Sequence, residues 1–196
     1  SSREKSSNVS HHPSSLNSFP DSIISILLSY KKSLKEITKN CITSIPDEAW
    51  QSSMIEVIPS KEITTLFNFL ENILVLCPQK YGPWGVQKIH QLIFGNDFSK
   101  GVQNWEQGTP IISRSNQPEI GLANGDIGII IGKGDKRRFI FNVFSEEQKL
   151  VVRLINPSRL NLFEPAFAIT IHKSQGSEAD QVFLVWPGTS KTSKNS

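Results

Sequence analysis

Residues 166–187 read AFAITIHKSQGSEADQVFLVWP, and how they fold decides how the rest of the chain is read. Phe167 and Ile171 are apolar at helical spacing, and Thr170, His172, Lys173, Ser174 and Gln175 fall on the last turn of the expected helix. Gly176 breaks the pattern, and Val182 to Trp186 is an unbroken apolar run. The spacing predicts a helix, a turn and then a strand covered on both faces, as in a parallel sheet. A knot of donors and acceptors would then stand where a helix ends at a sheet edge, the place where open α/β sheets bind ligands. Core packing requires none of those polar groups.

Further upstream the chain alternates helix and strand signals. Pro20 and Asp21 open a helix with the stripe Ile23, Leu27, Tyr30, Leu34 and Ile37, Asp21 being a candidate cap. Lys31, Lys32, Lys35 and Lys39 lie mostly off the stripe and read as a solvated face. Short helices are expected over Asp47–Val57 and Ser60–Glu71. Ile73–Cys77 is a buried-strand pattern, and Val86–Phe94 a helix. The loop between them, PQKYGPWG, has two glycines for a tight backbone and offers Gln79, Lys80 and Trp84. An ordinary strand-to-helix turn accounts for it without any ligand.

From Thr109 to Leu160 the pattern shifts to short strands, at Pro110–Arg114, Asp126–Gly132, Arg138–Phe144 and Leu150–Ile155, separated by KGDK and SEEQ turns and preceded by an Asn-Gly tight-turn signal at Asn124–Gly125. Such spacing suggests a small barrel or curled sheet. Lys133, Lys136, Arg137 and Arg138 share one hairpin. Either they meet phosphates or they are simply a charged tip.

With 196 residues, 37% of them hydrophobic, and a net charge of +3, the chain has enough material for one ordinary domain or two small ones. Its mild basicity is compatible with nucleic acid and does not by itself require it. No apolar run nears the ~20 residues of a membrane span, and SSREKSSNVS lacks a signal-peptide apolar stretch. The expectation is a cytoplasmic protein with no membrane partner. Cys41 and Cys77 lack metal or redox spacing and read as reduced, buried thiols. The adjacent pair His11 and His12 reads as solvated, within a disordered tail over residues 1–19.

The ten residues IHKSQGSEAD, 171–180, resemble motif V of superfamily 1 DNA helicases, in the wording of the RecD-like branch, the alpha subunit of exodeoxyribonuclease V. The strand, Gly-Pro-aromatic-Gly loop and helix over residues 73–94 and the words NGDIGIII are similar to the same branch. One departure is Ala179, where the family usually carries an aromatic residue. The fold this resemblance implies is α/β: a partial RecA-like second motor domain over 20–108 and 165–187, an inserted SH3-like β-barrel over 109–164, and a tail over 188–196.

The resemblance also implies roles. Thr170, His172, Lys173, Ser174 and Gln175, with Arg114 and Asn116, would lie against single-stranded DNA. Gly176, Glu178, Gln79 and Lys80 would face ATP. ATP and Mg²⁺ would serve the intact enzyme, and partners would be single-stranded DNA with either other exodeoxyribonuclease V subunits or a chain carrying the first motor domain.

The chemistry of a motor needs more than this. G-x-x-x-x-G-K-[ST] is not found. The nearest words, GIIIGK at Gly128–Lys133, are one residue short and are followed by Gly134 inside an expected strand. No apolar run ends in an Asp-Glu pair, and the arginine-bearing motif VI is not reached before Ser196. The expectation is a chain that does not hydrolyse ATP alone, about the last third of a RecD-like helicase. A split gene, a truncated product and a fragment all fit it, as does a non-enzymatic single-strand-binding module. No acidic cluster suggests a nuclease, and Ser174 with His172 at i, i+2 would point apart on a helix, which leaves a serine hydrolase unsupported.

Overall fold

The structure, a computed structural model, describes residues 19–99, 101–145, 147–173 and 179–186, with Gln103 and Lys173 as backbone only. It is a mixed α/β arrangement of two sheets, one of six strands and one of three.

Helix α1 runs Asp21–Cys41. Its stripe buries Ile23, Leu27, Tyr30 and Leu34 as the spacing predicts, then continues through Thr38 and Cys41, while Ile37 is only partly buried. Asp21 stands inside the first turn and Pro20 occupies the cap position without a side-chain bond, so Asp21 acts through its charge on the helix dipole. Phe19, expected in the tail, is instead buried, its ring 5.4 Å from that of Trp84. The rest of the expected tail, with His11 and His12, lies outside the described residues. Three of the four lysines have partners: Lys31 donates to the Ile93 carbonyl (3.2 Å), Lys35 pairs with Glu106 (2.8 Å), and Lys39 pairs with Glu36 on its own helix (2.7 Å).

The region expected to be one helix over 47–57 divides into α2 (Asp47–Gln51) and a strand, β1 (Met54–Val57). Helix α3 (Lys61–Leu70) is capped by Ser60, whose hydroxyl accepts from the Ile63 amide at 3.2 Å. Strand β2 is Ile73–Cys77 and helix α4 is Val86–Phe94. Cys41 and Cys77 are free and buried. Burial, aided at Cys41 by nearby Glu62, pushes their thiols up to about 11 and about 12, so neither is a nucleophile at neutral pH.

The larger sheet is antiparallel and adds β3 (Pro110–Ser113), β4 (Ile127–Ile131), β5 (Arg138–Phe144), β6 (Leu150–Ile155) and β7 (Phe163–Pro165), in the order β1-β6-β5-β4-β3-β7. Its outer strand β1 therefore comes from far upstream, held in register Met54↔Ile155 to Val57↔Val152. Among the described residues no ladder joins β1 to β7. Gly108 carries φ +85°, and a Cβ there would meet the α1 backbone at Lys35 Cα within 2.6 Å. The loop into β3 thus lies directly on α1, an approach only glycine permits.

The smaller sheet is parallel, in the order β8-β2-β9, with β8 Ile169–Thr170 and β9 Gln181–Leu184. Here the deciding stretch departs from expectation. Its first half is not a helix: residues 169–170 pair with β2 (Leu76↔Ile169, Cys77↔Thr170) and only then comes one 3₁₀ turn, Ile171–Lys173. Its second half does form a strand beside β2, but an edge strand, with Val182, Leu184 and Trp186 at 54%, 60% and 63% exposure rather than covered on both faces. Leu74, Ile112 and Ile169 form a small separate core where the two sheets meet, with Ala166 and Ala179 packed on it. Ala179, the residue that departs from the family's aromatic, is thereby partly buried between the sheets.

Candidate functional site

The polar residues of interest collect at the carboxyl ends of β2 and β8. Beyond Cys77 the chain turns through residues 78–85 into α4. Gly82 (φ +89°) makes the turn, and at Gly85 a Cβ would lie 2.5 Å from the Tyr81 carbonyl oxygen. The first amides of α4 are satisfied within the loop: Val86 donates to the Gln79 carbonyl (3.1 Å), Gln87 to that of Lys80 (3.0 Å), and Lys88 to that of Gly85 (3.1 Å). This helix start therefore offers few open N–H groups to an anion. Trp84 is buried against Phe19, so it is not a stacking platform. The exposed aromatic of the loop is Tyr81, with the Lys80 ammonium 5.6 Å from its ring centre.

Lys80 forms an ion pair with Glu164 of β7, whose second oxygen lies 3.4 Å from Arg114 Nε in a second ion pair. All three side chains are about one-third exposed. The sheet register explains the meeting. Glu164 sits opposite Ile112, and Ile112 belongs to the apolar seam with Leu74 and Ile169. Glu164 is therefore the polar rim of that seam, and Arg114, two residues beyond Ile112, is tied to β7 by its amide donating to the Leu162 carbonyl (2.8 Å).

Thr170 is half-buried at the end of β8, beside Cys77, and His172 is exposed on the 3₁₀ turn. Lys173 has its backbone on that turn. Ser174, Gln175, Gly176 and Glu178 lie outside the described residues. Gln79 is exposed, and Asn116 is exposed while its carboxamide oxygen accepts from the Asn124 amide (2.8 Å), bracing the Asn124–Gly125 turn. Of the residues singled out from sequence, Lys80 and Arg114 are thus joined through Glu164, with Thr170 one strand away, whereas Asn116 serves the turn.

Two groups went unread in the sequence. Glu164 has no motif around it. His90 on α4 is almost wholly buried, and its Nε2 accepts from the Ala168 amide (3.3 Å), fixing the backbone that enters β8. Burial holds this imidazole neutral, its pKa depressed to about 3. The hairpin cations divide. Lys133 and Lys136 are exposed, but Arg137 donates to the carbonyls of Val102 (2.8 Å) and Trp105 (3.1 Å). Arg138 donates to those of Asp135 (3.0 Å), Arg137 (2.7 Å) and Trp50. The two arginines brace the fold rather than form a free charged tip. Among the described residues no group of three His, Cys, Asp or Glu could hold a metal, and no helix is long and apolar enough to cross a membrane.

Comparison with known proteins gives first a class. Residues 165–195 match the UvrD-like helicase C-terminal domain. Over longer spans the chain is similar to RecD, named as a subunit of the RecBCD enzyme. It is 29% identical over 166 residues to the protein of Buchnera aphidicola from Acyrthosiphon pisum (81% of this chain, 26% of that protein). It is 30% identical over 122 residues to that of Mycolicibacterium smegmatis (60% and 21%) and 35% over 88 residues to that of Haemophilus influenzae (45% and 12%). The chain is thus similar to part of a RecD-like helicase and spans about a quarter or less of these relatives rather than a third.

Proposed function

We propose that this chain is the strand-gripping part of the second motor domain of a RecD-like helicase, acting in DNA unwinding and recombinational repair. The observation that supports this best is the convergence of polar groups from three separate segments, Thr170 with His172, Lys80, and Arg114, on the carboxyl edge of one parallel sheet. Short polar groups and two cations there suit sugar-phosphate contacts that grip without reading sequence. Lys173, Ser174 and Gln175 would extend the same contact, and Asn116 would border it.

In this reading the parallel strands belong to a RecA-like domain over 20–108 and 165–187, and the antiparallel strands over 109–164 to an SH3-like insertion. Gly176, Glu178 and Gln79 would face a nucleotide held jointly with a first motor domain, with Lys80 at the border between nucleotide and strand, and other subunits of a RecBCD-type complex would be partners in a soluble, cytoplasmic assembly. ATP with Mg²⁺ would supply the energy for translocation in such an assembly. The described residues do not form that site by themselves: the carboxylate at the cluster, Glu164, is engaged by two cations, and the first α4 amides are taken. The groups that act on the nucleotide would accordingly come from the completed assembly.

A second reading is a single-strand-binding module without turnover, in which the same edge residues hold the strand and no nucleotide is required. Both readings expect salt-dependent binding of a fluorescein-labelled oligothymidylate, weakened about two- to fivefold by His172→Ala or Thr170→Val. Unchanged binding in both variants would remove the strand-gripping role. ATP hydrolysis by the chain alone would contradict both readings.

A further inference from the structure

We propose that Lys80, Arg114 and Glu164 form one gated phosphate site, in which the Glu164 carboxylate holds the place of a phosphate until a phosphate group displaces it. Lys80 follows a strand of the parallel sheet and Arg114 one of the antiparallel sheet, and the register that sets Glu164 opposite Ile112 places its carboxylate between them. What brings them together is a single carboxylate, one oxygen to each cation. A carboxylate between an ammonium and a guanidinium satisfies the same donors that a phosphate oxygen would. The exchange is feasible because the three groups are only partly desolvated, each about one-third exposed. The triad also closes the apolar seam of Leu74, Ile112 and Ile169 between the two sheets. A phosphate that takes Arg114 from Glu164 would therefore alter the contact of Lys80 as well, so the seam would register the ligand on both sheets.

The proposal rests on the strand-binding reading and names the part of that site which is closed in the free protein. It is tested on the full 196-residue chain with the same oligothymidylate and, separately, with ATP by titration calorimetry. Glu164→Gln keeps the shape and removes the competing charge. It should tighten oligothymidylate binding about fivefold or more at low salt and steepen the salt dependence by about 0.7 per cation released. Adding Arg114→Gln to Glu164→Gln should cancel the gain. A gain for the oligonucleotide alone assigns the site to strand phosphates, and a gain for ATP alone to a nucleotide phosphate with the gate retained.

Glu164→Asp shortens the arm so that it cannot span both cations, and should show a smaller gain of the same sign. This variant answers the question if Glu164→Gln folds poorly by circular dichroism. Identical affinity and salt slope for wild type and both folded variants, with either ligand, overturns the gate. His172→Ala reports on the strand-gripping reading independently of that outcome.

Discussion

The antiparallel sheet and the carboxyl edge of the parallel sheet both carry cations, and they use them in opposite ways. On the large sheet Arg138 and Arg153 are buried and bound to backbone. Arg153 donates to the carbonyls of Ile120 (2.7 Å) and Gly121 (3.0 Å) and pairs with Glu56 on β1. At the parallel edge Lys80 and Arg114 instead share one partly exposed carboxylate. Charge count alone would rank the hairpin with its four cations above the pair at the edge. Partners and burial reverse that order: a guanidinium whose terminal nitrogens are already engaged by backbone carbonyls has little to offer a phosphate, and exposing it would leave those carbonyls unpaired.

Substitution should break the comparison sharply if it is wrong. Arg138→Met strips donors from three carbonyls and should cost about 2–4 kcal/mol in urea unfolding, whereas Arg114→Met should cost less than about 1 kcal/mol. Equal losses would mean the edge pair is structural after all. Gly108→Ala, forced into a positive φ against the α1 backbone, should cost about 2 kcal/mol or more and lower the thermal midpoint without touching the edge residues.

His90 sharpens the comparison through pH. Its folded pKa is about 3, below the ordinary value of 6.5, so between those values the unfolded chain binds a proton that the folded chain does not. Stability is then full above about pH 6.5 and falls as pH drops toward 3, by at most about 1.4 kcal/mol per pH unit from this group. His90→Gln should flatten that slope. The smallest effect is expected at the hairpin tip, where Lys133→Gln and Lys136→Gln should stay within about 0.5 kcal/mol.

Much of this architecture is legible in the residues. The period of α1, the helix at α3, the apolar run of β2, the β5 and β6 strands and the loop-helix unit at 78–94 all follow from pattern and turn chemistry. Phe167-Ala-Ile169 was too short to separate helix from strand by period, and pairing with Leu76 and Cys77 decided it. Met54–Val57 continues the helical spacing of Trp50, yet the open edge of β6 and the charge pair between Glu56 and Arg153 draw it into the sheet. An unbroken apolar run suggested full cover for β9, but its place at the sheet's end leaves it half open. Of the candidate residues, Lys80 and Arg114 were legible as residue types. Their meeting was not, because it depends on Glu164, whose position is fixed by its register opposite Ile112, a long-range fact that no local word carries.

Helix α1 is held by four separate segments: Tyr30 donates to the Leu70 carbonyl at the end of α3 and packs edge-on against Phe167, Lys31 reaches the end of α4, and Gly108 lies on its backbone. An element anchored on so many sides cannot open by itself. Its central amides, from Leu27 to Leu34, should therefore exchange with deuterium only when the whole chain unravels, while those of the β9 rim exchange through local fraying. Slow and fast amides would then map the hub and the margin of the molecule directly.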